Sequence, residues 1–250
     1  KSTWPQKNTE ALIDRSLSKQ SWSAQQKEYF NNPISEGDTF KKLYWDKCPP
    51  LSSCDKVIVY ADPSTSNKDR GANKQASYKS VGVVGKKGCK RYLYKIWLQQ
   101  TGNSKFVSWL FEAYKYLQEH NVDVKRIFIE NNSLQAPHYE QVITPEIKKV
   151  NKELDVYLPI SEDTRKKGDK FDRIEGTLEP LNSKGNLIFN IDEKNNPDMI
   201  VMEGQMLGVC ATAKIMDGPD MLEGACWLLE NKTVPMEGGY SHGAVPNRKF

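Results

Sequence analysis

Four carboxylates occupy positions from which a folded chain can bring them together. Asp62 ends the apolar run KVIVYAD, Glu130 follows the run RIFI, and Asp217 and Asp220 stand in MDGPDMLEG. Burying an isolated carboxylate costs several kcal/mol unless a metal ion or a charged partner neutralises it. Carboxylate oxygens are ligands that suit Mg²⁺ and Mn²⁺. Two strand ends plus an acid at the start of the last helix therefore predict a divalent-metal site.

Each of these acids also has an ordinary structural explanation. Asp62 precedes Pro63 and would form a turn, and Glu130 would cap a helix or turn before Asn131. Asp217 and Asp220 would serve as an N-cap and a first-turn acid of a helix. It is the joint placement of the four at the ends of elements that favours a site.

The chemistry typical of such a site is phosphodiester hydrolysis. Two divalent ions about 4 Å apart activate water and stabilise the leaving oxygen, so no side-chain nucleophile is needed. The three histidines, His120, His138 and His242, have no useful spacing to one another or to a serine or cysteine. A hydrolase triad therefore has little support.

The elements that would position these acids alternate between strands and helices. Apolar runs predict strands, and apolar residues at helical spacing predict helices. Strands are expected at 56–62, 80–85, 90–99, 126–131 and 156–160, and an edge strand is expected at 185–190. Helices are expected at 104–120 and 134–154, and a further helix is expected to end near residue 181. The last two helices are expected to have Pro197 and Pro219 in their first turns. Gly88 would turn the hairpin between the second and third strands. This order predicts an α/β fold with a mixed sheet flanked by helices.

A length of 250 residues suits one domain with an appended segment. We assign residues 1–54 to a lead-in without a strand pattern, 55–232 to the domain and 233–250 to an irregular tail. The chain begins without Met, which indicates a fragment. A mean hydropathy of −0.69 and no run of about 18 apolar residues predict a soluble protein without a membrane partner.

The cysteines indicate the cellular compartment, and the distribution of charge indicates the binding partner. Five scattered cysteines without a C-x-x-C pair indicate reduced thiols in a cytosolic compartment and argue against a zinc site. The stretch 70–111 contains nine basic residues and no acid. A concentrated positive field favours a polyanion such as DNA. The hairpin residues Lys86, Lys87, Lys90 and Arg91 are the candidate DNA contacts.

Several motifs, taken in order, resemble a known family. YADPSTS, RIFIENN, KFDRIEGTLEPLNSKGNLIF and MDGPDMLEGACWLL are similar to segments of the C-terminal nuclease domain of the large terminase subunit of tailed bacteriophages, over a span from about Ser21 to Glu230. The resemblance implies a ribonuclease-H-like fold and a three-carboxylate site that uses two Mg²⁺ or Mn²⁺ ions. It further implies cleavage of double-stranded viral DNA during genome packaging in the host cell cytoplasm, with a portal protein and a small terminase subunit as partners.

The resemblance also assigns roles residue by residue. Asp62 matches the first acid, Glu130 the second and Asp217 the third, with Asp220 as an adjacent acid that could also bind metal. Lys170 and Arg173 match basic positions that could face DNA phosphates, although the five basic and five acidic residues in 161–175 favour a solvated helix face. The chain departs from the pattern in having Ile215 and Met216 before Asp217, which puts an extra ligand there in doubt. No G-x-x-x-x-G-K-[ST] loop is present, so we expect no ATP hydrolysis from these residues.

Two alternatives stay open. Another ribonuclease-H-fold nuclease, such as a junction resolvase or a transposase core, would use the same metals on a different DNA structure. A non-catalytic DNA-binding module would keep the fold and the basic hairpin without turnover.

Overall fold

The computed structural model describes residues 7, 9–17, 39–64, 77–123, 126–131 and 139–231. Its strands are β1 (Tyr44–Asp46), β2 (Lys56–Asp62), β3 (Lys79–Lys87), β4 (Lys90–Gln99), β5 (Ile127–Glu130), β6 (Ile160–Asp163) and β7 (Leu187–Asn190). Its α-helices are α1 (Glu10–Leu17), α2 (Asn103–Glu119), α3 (Thr144–Leu154), α4 (Lys170–Ser183), α5 (Pro197–Leu207) and α6 (Asp217–Asn231). A π-helical turn, Tyr139–Ile143, precedes α3.

One seven-stranded sheet runs in the order β1-β7-β4-β3-β2-β5-β6. Strand β3 is antiparallel to both β2 and β4, whereas the other neighbours pair in parallel. The predicted mixed sheet flanked by helices is confirmed. Because β2, β5 and β6 are parallel neighbours, their C-terminal ends meet at one edge of the sheet, which places Asp62 beside Glu130.

Each face of the sheet buries its own core, and the period of two along a strand decides which residues join which core. Ile58 and Tyr60 of β2 pack on the face covered by α4, α5 and α6, whereas Val59 and Ala61 pack on the face covered by α2 and α3. Asp62 follows Ile58 and Tyr60 at the same spacing. Its side chain is therefore directed towards the face that carries α6.

The hairpin between β3 and β4 turns at Gly88, as predicted, with a positive φ of 58°. Asp62 pairs with Ser80 at one end of β3, and Lys56 pairs with Lys86 at the other. Since a strand rises about 3.3 Å per residue, the hairpin end of the sheet lies roughly 20 Å from the acids.

Strand β7 is not an edge strand, so that prediction is wrong. It pairs in parallel with β4 on one side and with β1 on the other. Strand β1 is too short and too mixed in composition, YWD, to give a period-two pattern. It lies inside the segment 1–54 that was assigned to a lead-in, and Phe40 from the same segment is buried in the core. The sheet therefore begins upstream of residue 55.

The fifth predicted strand, at 156–160, is also misplaced. The structure has β6 at Ile160–Asp163, directly after Pro159. Proline lacks the amide hydrogen that a sheet ladder needs, and an edge strand tolerates the polar sequence ISED. The shift matters because it ends β6 in a further carboxylate, Asp163, opposite Glu130.

Helix α6 approaches the sheet closely because Gly224 has no side chain. A Cβ atom built at Gly224 would lie 2.5 Å from Cζ and 2.8 Å from the hydroxyl oxygen of Tyr60, whose side chain is fully buried. Gly82 of β3 likewise leaves room for the side chain of Met221. This close approach carries the first turn of α6, with Asp217 and Asp220, to the edge where Asp62 ends.

We expect Gly224→Ala to lower the free energy of unfolding by about 2 kcal/mol, because the added methyl group overlaps a ring that cannot move aside. Gly204→Ala is the matched control, since Gly204 is also helical and a Cβ there meets no atom within 4 Å. That control should be neutral or stabilising by up to ~1 kcal/mol. Urea denaturation measures both, and equal effects would contradict the close-packing explanation.

The irregular tail predicted at 233–250 lies outside the described residues, as do residues 134–138 of the helix predicted at 134–154. Among the helices that the structure describes, none is both long and apolar enough to cross a membrane.

Candidate metal centre

The sheet edge brings three acids from distant parts of the chain into one cluster. One carboxylate oxygen from each of Asp62, Glu130 and Asp220 lies within 4.8 Å of the others, and all three side chains are buried. Asp62 ends β2, Glu130 ends the neighbouring β5, and Asp220 stands in the first turn of α6. This is the convergence that the sequence predicted for the strand-end acids.

Asp217 lines the same cavity but is held differently. Its Oδ2 atom accepts a hydrogen bond from the backbone N–H of Tyr78 at 2.7 Å, and its Oδ1 atom accepts one from the ammonium of Lys170 at 2.8 Å. Asp217 and Asp220 are three residues apart, so they share one face of α6. The geometry therefore favours Asp220, rather than Asp217, as the third member of the cluster.

Three basic side chains that follow β6 in the chain form ion pairs with the acids. Lys167 forms ion pairs with Glu130 and, at 3.6 Å, with Asp220. Lys170 lies 3.5 Å from Asp220, and the guanidinium of Arg173 lies 2.9 Å from it. Lys170 and Arg173 were predicted from the family pattern, whereas Lys167 was not. Here the cations neutralise part of the negative charge that the acids concentrate.

The neutralisation is uneven across the cluster. Burial, together with Glu130, Asp220 and Asp217, raises the pKa of Asp62 from 3.8 to about 7. Burial also acts to raise the pKa of Asp220, but the nearby cations, Lys167 foremost, outweigh it and hold that pKa below its ordinary value. The neighbouring acids therefore disfavour ionisation of Asp62, whereas the cations favour ionisation of Asp220.

The raised pKa predicts how the stability of the metal-free protein changes with pH. A carboxyl whose pKa is higher in the folded than in the unfolded state stabilises the fold fully below about pH 4, and this contribution is lost as the pH rises through about 7. In a chelating buffer we therefore expect the Tm to fall by several degrees from about pH 5 to about pH 8. Thermal unfolding monitored by circular dichroism measures this, and a Tm that stays level over that interval would contradict the raised pKa.

The acids and cations line an open cavity of about 300 Å³ at the sheet edge. Its walls are polar and come from five stretches of the chain, which contribute Asp62, Ser64, Ser77, Glu130, Lys167, Gly168, Lys170, Arg173, Asp217 and Asp220.

The donor set fits a hard divalent cation. It consists of carboxylate oxygens, which Mg²⁺ and Mn²⁺ prefer. The Oδ1 atom of Asp220 is buried and accepts no hydrogen bond of good geometry within the described ranges, although Arg173 lies near it. Asp62 is short of positive charge, as its raised pKa indicates. A divalent ion would supply positive charge at Asp62 and could share the carboxylate of Asp220 with its cations.

Two buried acids that support the site were missed by the sequence reasoning. Asp163 ends β6 and accepts hydrogen bonds from the hydroxyl of Tyr60 at 2.8 Å and from the backbone N–H of Arg165 at 3.2 Å. Glu223, one turn beyond Asp220, accepts from the guanidinium groups of Arg165 and Arg173. These contacts fix the start of the segment that delivers the cations. A strand-end position could have revealed Asp163, but no pattern distinguishes Glu223 from an exposed helix residue.

Solved structures of terminase nucleases share this fold. The nuclease domain of the human cytomegalovirus terminase, soaked with manganese and bound to an inhibitor, has a TM-score of 0.54 at 15% identity, over 78% of this chain and 93% of that chain. The large terminase of a thermophilic bacteriophage, in complex with ADP, has a TM-score of 0.52 at 12% identity, over 90% of this chain and 52% of that chain. The fold is that of a terminase nuclease domain.

The terminase nuclease fold bears out the resemblance and the ribonuclease-H-like class predicted from the motifs. The likeness lies in the fold, since identity is low, no protein-family profile matches the chain and no curated protein sequence matches it. The chain spans about half the length of the phage protein.

Within this terminase nuclease fold, the basic hairpin and the acid cluster lie at opposite edges of the sheet. Lys86 and Arg91 both form ion pairs with Glu230 at the far end of α6, and Lys87 donates a hydrogen bond to Ser53. The predicted DNA contacts of Lys86, Lys87, Lys90 and Arg91 therefore stay a prediction about a surface remote from the metal centre. The cations beside the acids are those of α4 and the segment before it.

Proposed function

We propose that the chain is a divalent-metal-dependent DNA endonuclease. The observation that carries the proposal is the buried cluster of Asp62, Glu130 and Asp220, whose carboxylate oxygens lie within 4.8 Å of one another. The fold supports the proposal, because the solved structures that share it are a terminase nuclease domain and a large terminase. The class of reaction is hydrolysis of phosphodiester bonds.

We assign the residues as follows. Asp62, Glu130 and Asp220 would hold Mg²⁺ or Mn²⁺, and Asp217 would contribute to a second ion or orient the first turn of α6. Bound ions would activate water and stabilise the developing charge on the phosphate oxygens.

DNA would approach the open side of the cavity. Lys170 and Arg173 line that cavity and would face backbone phosphates. Phosphate contacts position DNA but read no base sequence, so we expect cleavage of low sequence specificity. Double-stranded DNA is the proposed substrate.

The biological setting is part of the proposal and rests on the motif resemblance. Cutting of viral DNA during genome packaging, in the host cell cytoplasm, would join this nuclease to a portal protein and a small terminase subunit. A two-ion mechanism is likewise carried by the resemblance and by the number of acids that line the cavity.

The deciding experiment is plasmid nicking by the purified chain with Mn²⁺, with Mg²⁺ and with a chelator. We expect conversion of supercoiled DNA to nicked and linear forms with Mn²⁺, and none with chelator or in the Glu130→Gln variant. Linear and branched DNA are tested in parallel. Cleavage confined to branched DNA would favour the junction-resolvase alternative, and salt-sensitive DNA binding without any cleavage would favour the non-catalytic module.

A further inference from the structure

Lys79 is a buried cation that is not among the residues that line the cavity. It stands at the start of β3, next to Ser80, the residue that pairs with Asp62 across the sheet. Its side chain has 0% exposure. Its ammonium donates hydrogen bonds to the backbone carbonyl oxygens of Pro63 and, at 2.7 Å, of Ser64. The side chain thus binds the turn that follows Asp62 rather than the cavity surface.

That turn is strained and adjoins the metal centre. Ser64 has a φ of 40°, in the left-handed region that serine seldom adopts. A conformation of this kind persists only when its surroundings hold it. The two carbonyls that accept from Lys79 belong to the turn itself, so Lys79 supplies part of that restraint.

The turn in its present conformation orients the carboxylate of Asp62. The backbone N–H of Ser64 donates a hydrogen bond of 3.0 Å to the Oδ1 atom of Asp62. One oxygen of the carboxylate is thereby fixed by the backbone, and the rotation of the whole group is restricted. A chain of contacts thus connects the Lys79 ammonium, the Pro63–Ser64 carbonyls, the Ser64 N–H and Asp62.

We infer that Lys79 is a positioning residue, which holds the Pro63–Ser64 turn so that Asp62 presents its carboxylate correctly to a divalent ion. The inference rests on the proposed function. Partners of metal ligands typically change metal affinity 10–100-fold when they are removed. Lys79 acts through the backbone and touches neither the ion nor the substrate.

The test compares Lys79→Met with Lys56→Met. Lys56 begins β2, the strand that Asp62 ends, and its ammonium also donates to a backbone carbonyl, that of Leu229, at the opposite edge of the sheet. Both variants lose a lysine contact to the backbone. Mn²⁺ affinity is measured in the absence of DNA by electron paramagnetic resonance, and thermal stability is measured in chelator.

We expect Lys79→Met to weaken Mn²⁺ binding at least ~10-fold and Lys56→Met to leave it unchanged, whatever the losses in stability. Lys79→Gln keeps N–H donors on an uncharged side chain. It should therefore bind Mn²⁺ more tightly than Lys79→Met does. Wild-type affinity in both Lys79 variants would overturn the inference while leaving the proposed function intact. Failure of the wild-type chain to bind Mn²⁺ would overturn both.

Discussion

Asp62→Asn is expected to reduce metal-dependent plasmid cleavage at least ~100-fold while leaving the protein folded. The substitution keeps the shape of the side chain and removes the charge that a divalent ion would bind. Loss of a metal ligand removes several kcal/mol of transition-state stabilisation, and each 1.4 kcal/mol corresponds to about tenfold in rate. Asp62 ends β2, and its carboxylate lies within 4.8 Å of those of Glu130 and Asp220.

The same substitution should make the metal-free protein more stable near pH 8. Burial and the neighbouring acids raise the pKa of Asp62 to about 7, so its ionised form destabilises the fold there. A neutral amide removes that cost, and we expect a gain of about 1–2 kcal/mol, since one pKa unit corresponds to about 1.4 kcal/mol. The amide oxygen can still accept the hydrogen bond from Ser64.

Asp198→Asn is the matched control for Asp62→Asn. Asp198 is a buried aspartate at the start of α5 that accepts a hydrogen bond from Gln99 and is not among the residues that line the cavity. Its variant should cut DNA at the wild-type rate. Undiminished cleavage by Asp62→Asn would remove Asp62 from the site, and a loss of cleavage equal to that of Asp198→Asn would point to a general effect on the fold.

The second large effect separates Asp220 from Asp217. We expect Asp220→Asn to reduce cleavage at least ~100-fold and to weaken Mn²⁺ binding, because the carboxylate of Asp220 lies within 4.8 Å of those of Asp62 and Glu130. Asp217→Asn should cost about tenfold, the lower end for a residue that supports a metal ligand. Both oxygens of Asp217 already accept hydrogen bonds, from Tyr78 and Lys170.

Single-turnover cleavage and calorimetric titration with Mn²⁺ measure the two variants side by side. They form a natural pair, since the acids lie in the same helical turn and the substitutions are identical. A larger loss in Asp217→Asn than in Asp220→Asn would restore the assignment made from the motif alone, with Asp217 as the third ligand.

The strand-end acids could be predicted from the sequence because the relevant pattern is local. A short β-branched run that ends in a carboxylate identifies Asp62 and Glu130 without knowledge of the fold, and parallel pairing of β2 with β5 brings them together. The mixed sheet followed from the alternation of strand and helix patterns for the same reason. Gly88 was identifiable because a hairpin turn of two residues requires a positive φ.

The choice between Asp217 and Asp220 could not be made in this way. Both stand in one helical turn, and their roles depend on how α6 is rotated against the sheet, which Gly224 and Tyr60 determine through a contact between distant parts of the chain. The role of Lys167 could not be predicted from the sequence either. Lys167 pairs with Glu130, but it lies in a segment of mixed charge that is typical of a solvent-exposed surface.

The basic stretch 70–111 could not be assigned to one surface from its charge alone, because its described residues have different partners. Lys79 is buried against backbone carbonyls, Lys86 and Arg91 pair with Glu230, and Lys95 lies over the rings of Trp97 and Tyr116. Charge along the sequence predicts a partner for the molecule as a whole but does not locate the contact.

The ammonium of Lys167, placed between Glu130 and Asp220, has a consequence for how the protein is made. In many small metalloproteins the binding site does not exist until the ion binds, so folding and metal binding occur together. Here an internal ammonium already offsets part of the charge of the two acids, so their burial in the folded chain does not depend on an ion. If the proposed ions bind, they would have to displace this amine from the carboxylates.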